Sequence, residues 1–551
     1  MPDALKPVDD PFCSVTNLFP RNAEGATNAV EEARVMAQGM SMTVGENGEM
    51  SHTMDGIPVS MAILGVSAIV VASHLFVGLR KGAKATGGKT RFNLLSLGLV
   101  KGLVARQWFP LALQTFSLLA FALVIGAGLF GNQKTNIAPA LTWTWWWVLL
   151  VFVILGFGKA FCAICPWEAM SSMITSLSIK SRIKQLGFEK PWPKWARNIF
   201  PAIALFVLLT WFELGHDVTH SPSMTASMGL GMAGLAIFAA MIFERRGFCR
   251  HACLVGRISG LYALFSPVEV RASSTEVCRD CRTKDCYRGN DLSTGCPTSL
   301  FPGALKENTY CTMCTECVRA CPHDNMAINV RPPAADLFSK SGSRWDESLL
   351  AVVLLALTSF HGVTMTPMWT QLNNTLRVES GFSATAVFTV LMAFMVVAPI
   401  ALFWGGAKVA TWLTPGAGVS TGRIFKAFAY SLIPVALFYH LAHNCMHFFL
   451  EGQNLLPLLS DPFGWGWNLF GTAGKVYGPI LSLRSIWWLQ IICIVVGHVY
   501  GVLVADRSAR LLFARPGHAN RALVPLLATM VFYSSFSVWL IAQPMEMRSG
   551  M

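Results

Sequence analysis

About ten stretches of this chain are long and apolar enough to cross a bilayer, and nothing else in it constrains the fold as much. They lie near residues 57–79, 109–131, 141–162, 198–214, 224–243, 348–366, 384–404, 427–450, 486–505 and 522–542. A helix needs roughly 20 apolar residues to span the hydrocarbon. Only helices and closed barrels can satisfy their own backbone there. With 53% hydrophobic and 13% charged residues among 551, the chain reads as a mostly α, polytopic transmembrane helical protein. Residues 1–56 are polar and acidic, without a basic n-region and an apolar h-region, so no cleavable signal is expected.

The net charge of +13 is placed where topology would put it. Arg80, Lys81, Lys84, Lys89, Arg91, Lys101 and Arg106 fall between the first and second stretches. Lys180, Arg182, Lys184, Lys190, Lys194 and Arg197 fall between the third and fourth; Arg245, Arg246, Arg250 and Arg257 follow the fifth. Arg507, Arg510, Arg515 and Arg521 lie between the ninth and tenth, while Gly131–Ala140 and His216–Ser223 are poor in Lys and Arg. This alternation is the positive-inside pattern. It predicts a multi-pass protein of the cell inner (cytoplasmic) membrane with both termini outside. The lipid bilayer accounts for the basic charge, and nucleic acid is not an expected partner.

The apolar pattern is interrupted once, by a polar segment holding eight cysteines between residues 278 and 321. Its second half, Cys311-x2-Cys314-x2-Cys317-x3-Cys321-Pro322, has the spacing of the bacterial 4Fe–4S ligand run. Its first half is looser: Cys278-x2-Cys281-x4-Cys286-x9-Cys296-Pro297. A compact run points three thiolates at one cube, and in two-cluster ferredoxins the fourth comes from the other run. The expected sets are Cys311, Cys314, Cys317 and Cys296 for one cluster, and Cys278, Cys281, Cys286 and Cys321 for the other. Zinc fits poorly, because structural sites usually pair two C-x2-C units. Disulfides need an oxidising compartment, opposite to the predicted placement. The predicted insert is thus a small two-cluster ferredoxin-like α+β domain.

The chain divides into four parts: an extracytoplasmic tail (1–56), a first five-span membrane unit (57–267), a cytoplasmic two-cluster domain (268–345) and a second five-span membrane unit (346–551). The first unit carries a further cysteine set. Cys162 and Cys165-Pro166 end the third stretch, and Cys249 and Cys253 follow the fifth. Both pairs reach the same face at similar depth. Two readings stand: a third site, holding a cluster or a thiol redox pair, or small buried cysteines at helix ends.

Across residues 141–332 the chain resembles the NapH/NosR-type membrane polyferredoxins, relatives of the CcoG-type proteins. That family pairs Cys-x3-Cys-Pro motifs at helix ends with a two-cluster ferredoxin segment. The resemblance implies electron transfer between the quinone pool and a redox partner, or electron supply to a metalloenzyme. Two features depart from the pattern. Cys162-x2-Cys165-Pro166 is one residue short, and Leu254 stands where the family has proline.

The second membrane unit holds His361, His440, His443, His447 and His498 in apolar surroundings. Ionisable groups inside spans are costly and default to functional roles. His440, His443 and His447 share a helix face. At ~1.5 Å per residue His440 and His498 both lie roughly 15–18 Å deep. That allows a quinol site with an imidazole as proton acceptor, a bis-histidine haem b, or polar packing between helices. His440, His443 and His498 are the candidate catalytic groups. His74, His216 and His220 are weaker. The loop 451–485, with Asp461-Pro462-Phe463-Gly464-Trp465-Gly466-Trp467, reads as an interfacial re-entrant loop or a lid over the histidines.

Met36, Met40, Met42, Met50, His52 and Met54 crowd the N-terminal tail, a set of soft ligands suited to copper. The main expectation is an iron–sulfur electron-transfer protein, with quinol oxidation as its candidate enzymatic activity. The alternative is an assembly or metal-handling factor, copper-related, supporting a partner metalloenzyme. A redox-driven transporter lacks support, because no span pairs acidic residues in its interior.

Overall fold

The structure is a computed structural model, and it describes residues 40–44, 50–79, 91–106, 108–176, 187–339 and 342–547. Met36, Arg80, Lys81, Lys84, Lys89, Lys180, Arg182 and Lys184 lie outside these residues.

Each expected apolar stretch is helical. A short antiparallel pair, β1 (Met40–Val44) and β2 (Met50–Met54), precedes α1 (Val59–Leu79). After β3 (Phe92–Asn93) come α2 (Trp108–Phe130) and α3 (Trp147–Phe157), the latter entered through a π-helical turn at Ala140–Trp146. The first unit ends with α4 (Phe200–Gly215) and α5 (Pro222–Ile242). Between the two halves run β4 (Val268–Ala272) and β5 (Met326–Val330). The second unit holds α6 (Trp345–Thr364), α7 (Ala384–Trp412), α8 (Leu432–Glu451), α9 (Leu483–Leu512) and α10 (Pro516–Ile541), and β6 (Met545–Met547) comes last.

Nine segments among the described residues have the length and apolar composition to cross a membrane. The fourth expected span, 198–214, is the 16-residue α4, short of the roughly 20 residues a perpendicular crossing needs. The eighth, expected as one run over 427–450, is broken near Tyr430–Ser431 into Thr421–Ala429 and α8.

The helices divide into a lining and a centre. In the α1 and α2 segments 17% of residues are buried, with Phe116 and Leu119 facing outward, whereas the segment containing α8 is 89% buried and that containing α6 83%. A helix apolar on every side and buried on every side is a core helix. The histidine-bearing α8 is therefore wrapped by protein and not by lipid.

The first and last described segments meet at one end of the bundle. β2 pairs with β6, and Ile57 N–H donates to the Ile541 carbonyl at 3.0 Å. At the far end of α10, Arg507 Nε donates to the Phe338 carbonyl at 3.1 Å, which fixes the cysteine segment there. The segment does not stand apart from the first unit: β3, from the connection between α1 and α2, joins β5 and β4 in one antiparallel sheet. A buried ionic group locks that sheet to the short helix Ala335–Ser339. Arg331 and Arg271 both contact Glu269 and Asp336, with Arg331 Nη1 to Glu269 Oε2 at 2.9 Å and Arg271 Nη2 to Asp336 Oδ1 at 3.1 Å. Buried charges persist only when paired in this way.

Candidate metal centre

The backbone around the cysteines is full of conformations that turn a chain sharply. Lys284, Ser299, Met313, Thr315 and Asp324 all have positive φ. Such residues are uncommon and wrap backbone around a centre rather than along an axis. Short helices at Thr275–Asp280, Asp285–Arg288 and Glu316–Ala320 separate the turns.

These turns sort the eight thiols into two groups. Cys278, Cys281, Cys286 and Cys321 lie within electrostatic reach of one another. Cys296, Cys311, Cys314 and Cys317 form the other set, and line one cavity with Val270, Leu300 and Met313. The division is the crossed one: each compact run gathers the fourth cysteine of the other. Burial pushes the Cys311 thiol up to about 12 and Cys286 up to about 11, and raises Cys314 and Cys317 as well. Desolvation disfavours a bare thiolate, so the donors suit a cationic centre that neutralises them. Cys281, half-buried, is lowered instead by the backbone N–H of Lys284.

Hydrogen bonds already reach the sulfurs. Leu300 N–H donates to Cys296 Sγ at 3.2 Å, Asn325 N–H to Cys321 Sγ at 3.3 Å, and Asn325 Nδ2 to Cys278 Sγ at 3.3 Å. Donors to sulfur are among the features that set a cluster's potential. Among the described residues no three His, Cys, Asp or Glu side chains converge as they would around a single metal ion.

Cys162, Cys165, Cys249 and Cys253 also come together, each within electrostatic reach of the others. Gly158 makes this possible. Its φ of +61° ends α3 and turns the chain back, and an added Cβ would meet Ser266 Oγ at 3.3 Å. Cys253 caps the helix Leu254–Tyr262, its Sγ accepting from Gly256 N–H at 3.4 Å. Burial pushes Cys249 to about 12 and Cys253 to about 11. Arg246 joins this group to the cavity group: it pairs with Glu168 and lies within electrostatic reach of both Cys249 and Cys314.

The histidines do not all behave alike. His498 has both ring nitrogens engaged, with Ser73 Oγ at 2.7 Å and Ser534 Oγ at 2.9 Å, an arrangement of polar packing. His440 instead faces Trp147 and Tyr262, with ring centroids at 5.6 and 6.2 Å. His443 lies between His361 (5.2 Å) and His447 (5.1 Å), and His447 Nδ1 is 3.5 Å from Glu451 Oε1. Sequence spacing found the shared face of α8. It missed Glu451, four residues on from His447, and Tyr262, which reaches α8 from the first unit.

His74 is exposed, and His220 pairs with Asp217. Phe463, Trp465 and Trp467 stack together, and the Phe463 carbonyl accepts from Asn132 N–H at 2.7 Å, so the loop 451–485 is pinned to the first unit. The side chains of Met40, Met42, Met50 and His52 lie outside the described ones, and Met54 is buried.

No protein-family model matches this chain, and no solved structure matches it. The chain is similar to a protein of Escherichia coli (strain K12) named "Putative electron transport protein YccM", at 25% identity over 252 residues, which are 40% of this chain and 67% of that relative.

Proposed function

We propose that this is an integral membrane electron-transfer protein, moving electrons between the quinone pool and a redox partner through two 4Fe–4S clusters. The reading places the cluster segment, residues 268–345, in a ferredoxin-like domain on the cytoplasmic side of the inner membrane. One observation supports it: Cys296, Cys311, Cys314 and Cys317 line one cavity, and Cys278, Cys281 and Cys321 lie within electrostatic reach of Cys286. The name of the Escherichia coli relative points the same way. Arg91, Lys101, Lys190 and Arg245 belong to connections at the cysteine end, and Arg510 to the last turn of α9, which supports a cytoplasmic placement.

Bound clusters would each supply one-electron redox chemistry at a potential set by their surroundings. The chain's own residues do the rest. Cys296, Cys311, Cys314 and Cys317 hold one cluster, and Cys278, Cys281, Cys286 and Cys321 the other. Leu300 and Asn325 donate to the ligand sulfurs. On α8, His440 stands beside Tyr262 where a quinol could give up a proton, and His443, His447 and Glu451 continue along one helix face toward the end where β2 pairs with β6.

The test is reduction by a quinol analogue. Protein purified without oxygen should bleach in the visible on adding the quinol, and Cys311→Ser and Cys278→Ser should each remove a different part of the EPR signal. Iron-free wild type, or clusters untouched by quinol, would overturn the proposal.

A further inference from the structure

The cysteines that the two-cluster reading leaves unused are Cys162, Cys165, Cys249 and Cys253. They sit among two cations that lack ordinary compensation. Lys159 is 1% exposed, and its Nζ has no hydrogen-bond partner among the described residues. Arg257 is also 1% exposed; among the described residues Nε and Nη1 have no partner, and Nη2 reaches only the Thr309 carbonyl at 3.4 Å. Both lie within electrostatic reach of Cys162 and Cys253. The nearby carboxylates are largely spoken for. Glu168 pairs with Arg246, and Glu347, within electrostatic reach of Arg257, accepts from the Tyr430 hydroxyl at 2.5 Å.

A buried ammonium with no partner is costly, and chains keep one where an anion completes the site. Four neutral thiols supply no such anion. Four thiolates around an iron–sulfur cube do: the core's charge of about +2 leaves a net of roughly −2. We infer that Cys162, Cys165, Cys249 and Cys253 hold a third iron–sulfur cluster, with Lys159 and Arg257 as the buried countercharges that position and stabilise it. The inference deepens the electron-transfer reading and rests on it for the cluster's use.

The location gives that use. Arg246 lies between Cys249 of this site and Cys314 of the next, while the helix that begins after Cys253 ends at Tyr262, against His440. The third site therefore stands between the histidines of α8 and the cavity that Cys296, Cys311, Cys314 and Cys317 line. One electron enters and one leaves, and no bond is made or broken.

Iron and sulfide analysis of the full chain, purified without oxygen, tests the site. About 12 irons per chain are expected, four for each of three clusters. Cys253→Ser should lower the count by about a third, leaving the signals assigned through Cys311→Ser and Cys278→Ser in place. About 8 irons in wild type, unchanged by Cys253→Ser, would overturn the third site and leave the two-cluster reading standing. Iron-free wild type would overturn both. Lys159→Met supplies a measurement that keeps all four ligands. Loss of a nearby positive charge disfavours the more negative reduced state, so one EPR signal should titrate at a lower potential while the other two stay put. Three unmoved potentials would count against the countercharge role of Lys159.

Discussion

Arg257 lays its guanidinium over the ring of Tyr310, 4.4 Å from the centroid, and so ties the helix that begins after Cys253 to the residue that precedes Cys311. The same two segments meet more tightly one turn further along. A Cβ on Gly260 would stand 2.1 Å from the Thr309 carbonyl oxygen. This obstacle is backbone and cannot rotate away. Gly260→Ala should therefore push residues 309–311 off the helix, at a cost of about 1–3 kcal/mol in stability. The measurement is thermal unfolding in detergent together with iron retained on gel filtration. Gly156→Ala, with nothing within 4 Å of its added Cβ, is the control and should leave both unchanged. A Gly260→Ala protein indistinguishable from wild type would show that the two segments do not pack as described.

The crossed grouping makes a second prediction. Cys321 lies four residues beyond Cys317 but is grouped with Cys278 and Cys286. Cys321→Ser should thus perturb the same EPR signal as Cys278→Ser and spare the one lost in Cys311→Ser. Cys296→Ser should do the reverse. If Cys321→Ser instead removed the signal that Cys311→Ser removes, each run would be holding its own cluster and the grouping would be wrong.

Much of this arrangement was legible in the sequence, and the part that was not has a physical cause. The apolar stretches gave the helices because length and composition are what a membrane span needs. The break at Tyr430–Ser431 was hidden because both flanks are apolar. The loop spacing raised the crossing of Cys296 and Cys321 as an expectation. The gathering of Cys162, Cys165, Cys249 and Cys253 was only a convergence of depth, since no pattern in one helix records which neighbour it will face. Lys159 sits in an apolar helix end where nothing marks it as special, and it proves to be buried. The joining of Phe92–Asn93 to β5 was invisible, because a two-residue strand carries no periodicity at all.

The ionic group beneath β4 and β5 should be sensitive to loss of a single carboxylate. Asp336 takes contacts from Arg271 and Arg331 and also accepts from Asn308 N–H at 2.9 Å. Asp336→Asn leaves two buried guanidinium groups sharing Glu269. Removing one partner of a buried pair costs about 3–5 kcal/mol, and the two arginines are 1% and 9% exposed, so little of that is relieved by water. The expected result is a markedly lower melting temperature, with quinol-driven reduction retained in the fraction that folds. An unchanged melting temperature would mean that the group contributes little to holding the segment on the membrane unit.

His440 and His498, alike in sequence depth, should separate cleanly in function. His498 bridges Ser73 of α1 and Ser534 of α10, so its ring joins three helices. His498→Gln can keep one of those bonds; it should lower the melting temperature while leaving the rate of reduction by a quinol analogue near that of wild type. His440 makes no such bridge among the described residues and faces Trp147 and Tyr262. His440→Gln should fold as well as wild type yet slow reduction by quinol at least tenfold, roughly the scale of a lost proton acceptor. Reduction by dithionite, which needs no proton acceptor on the protein, should be unaffected in both variants and separates a slow quinol step from damaged clusters. If His440→Gln accepted electrons from quinol at the wild-type rate, the proton would have to leave by another group, and Glu451 with His447 would be the next pair to examine.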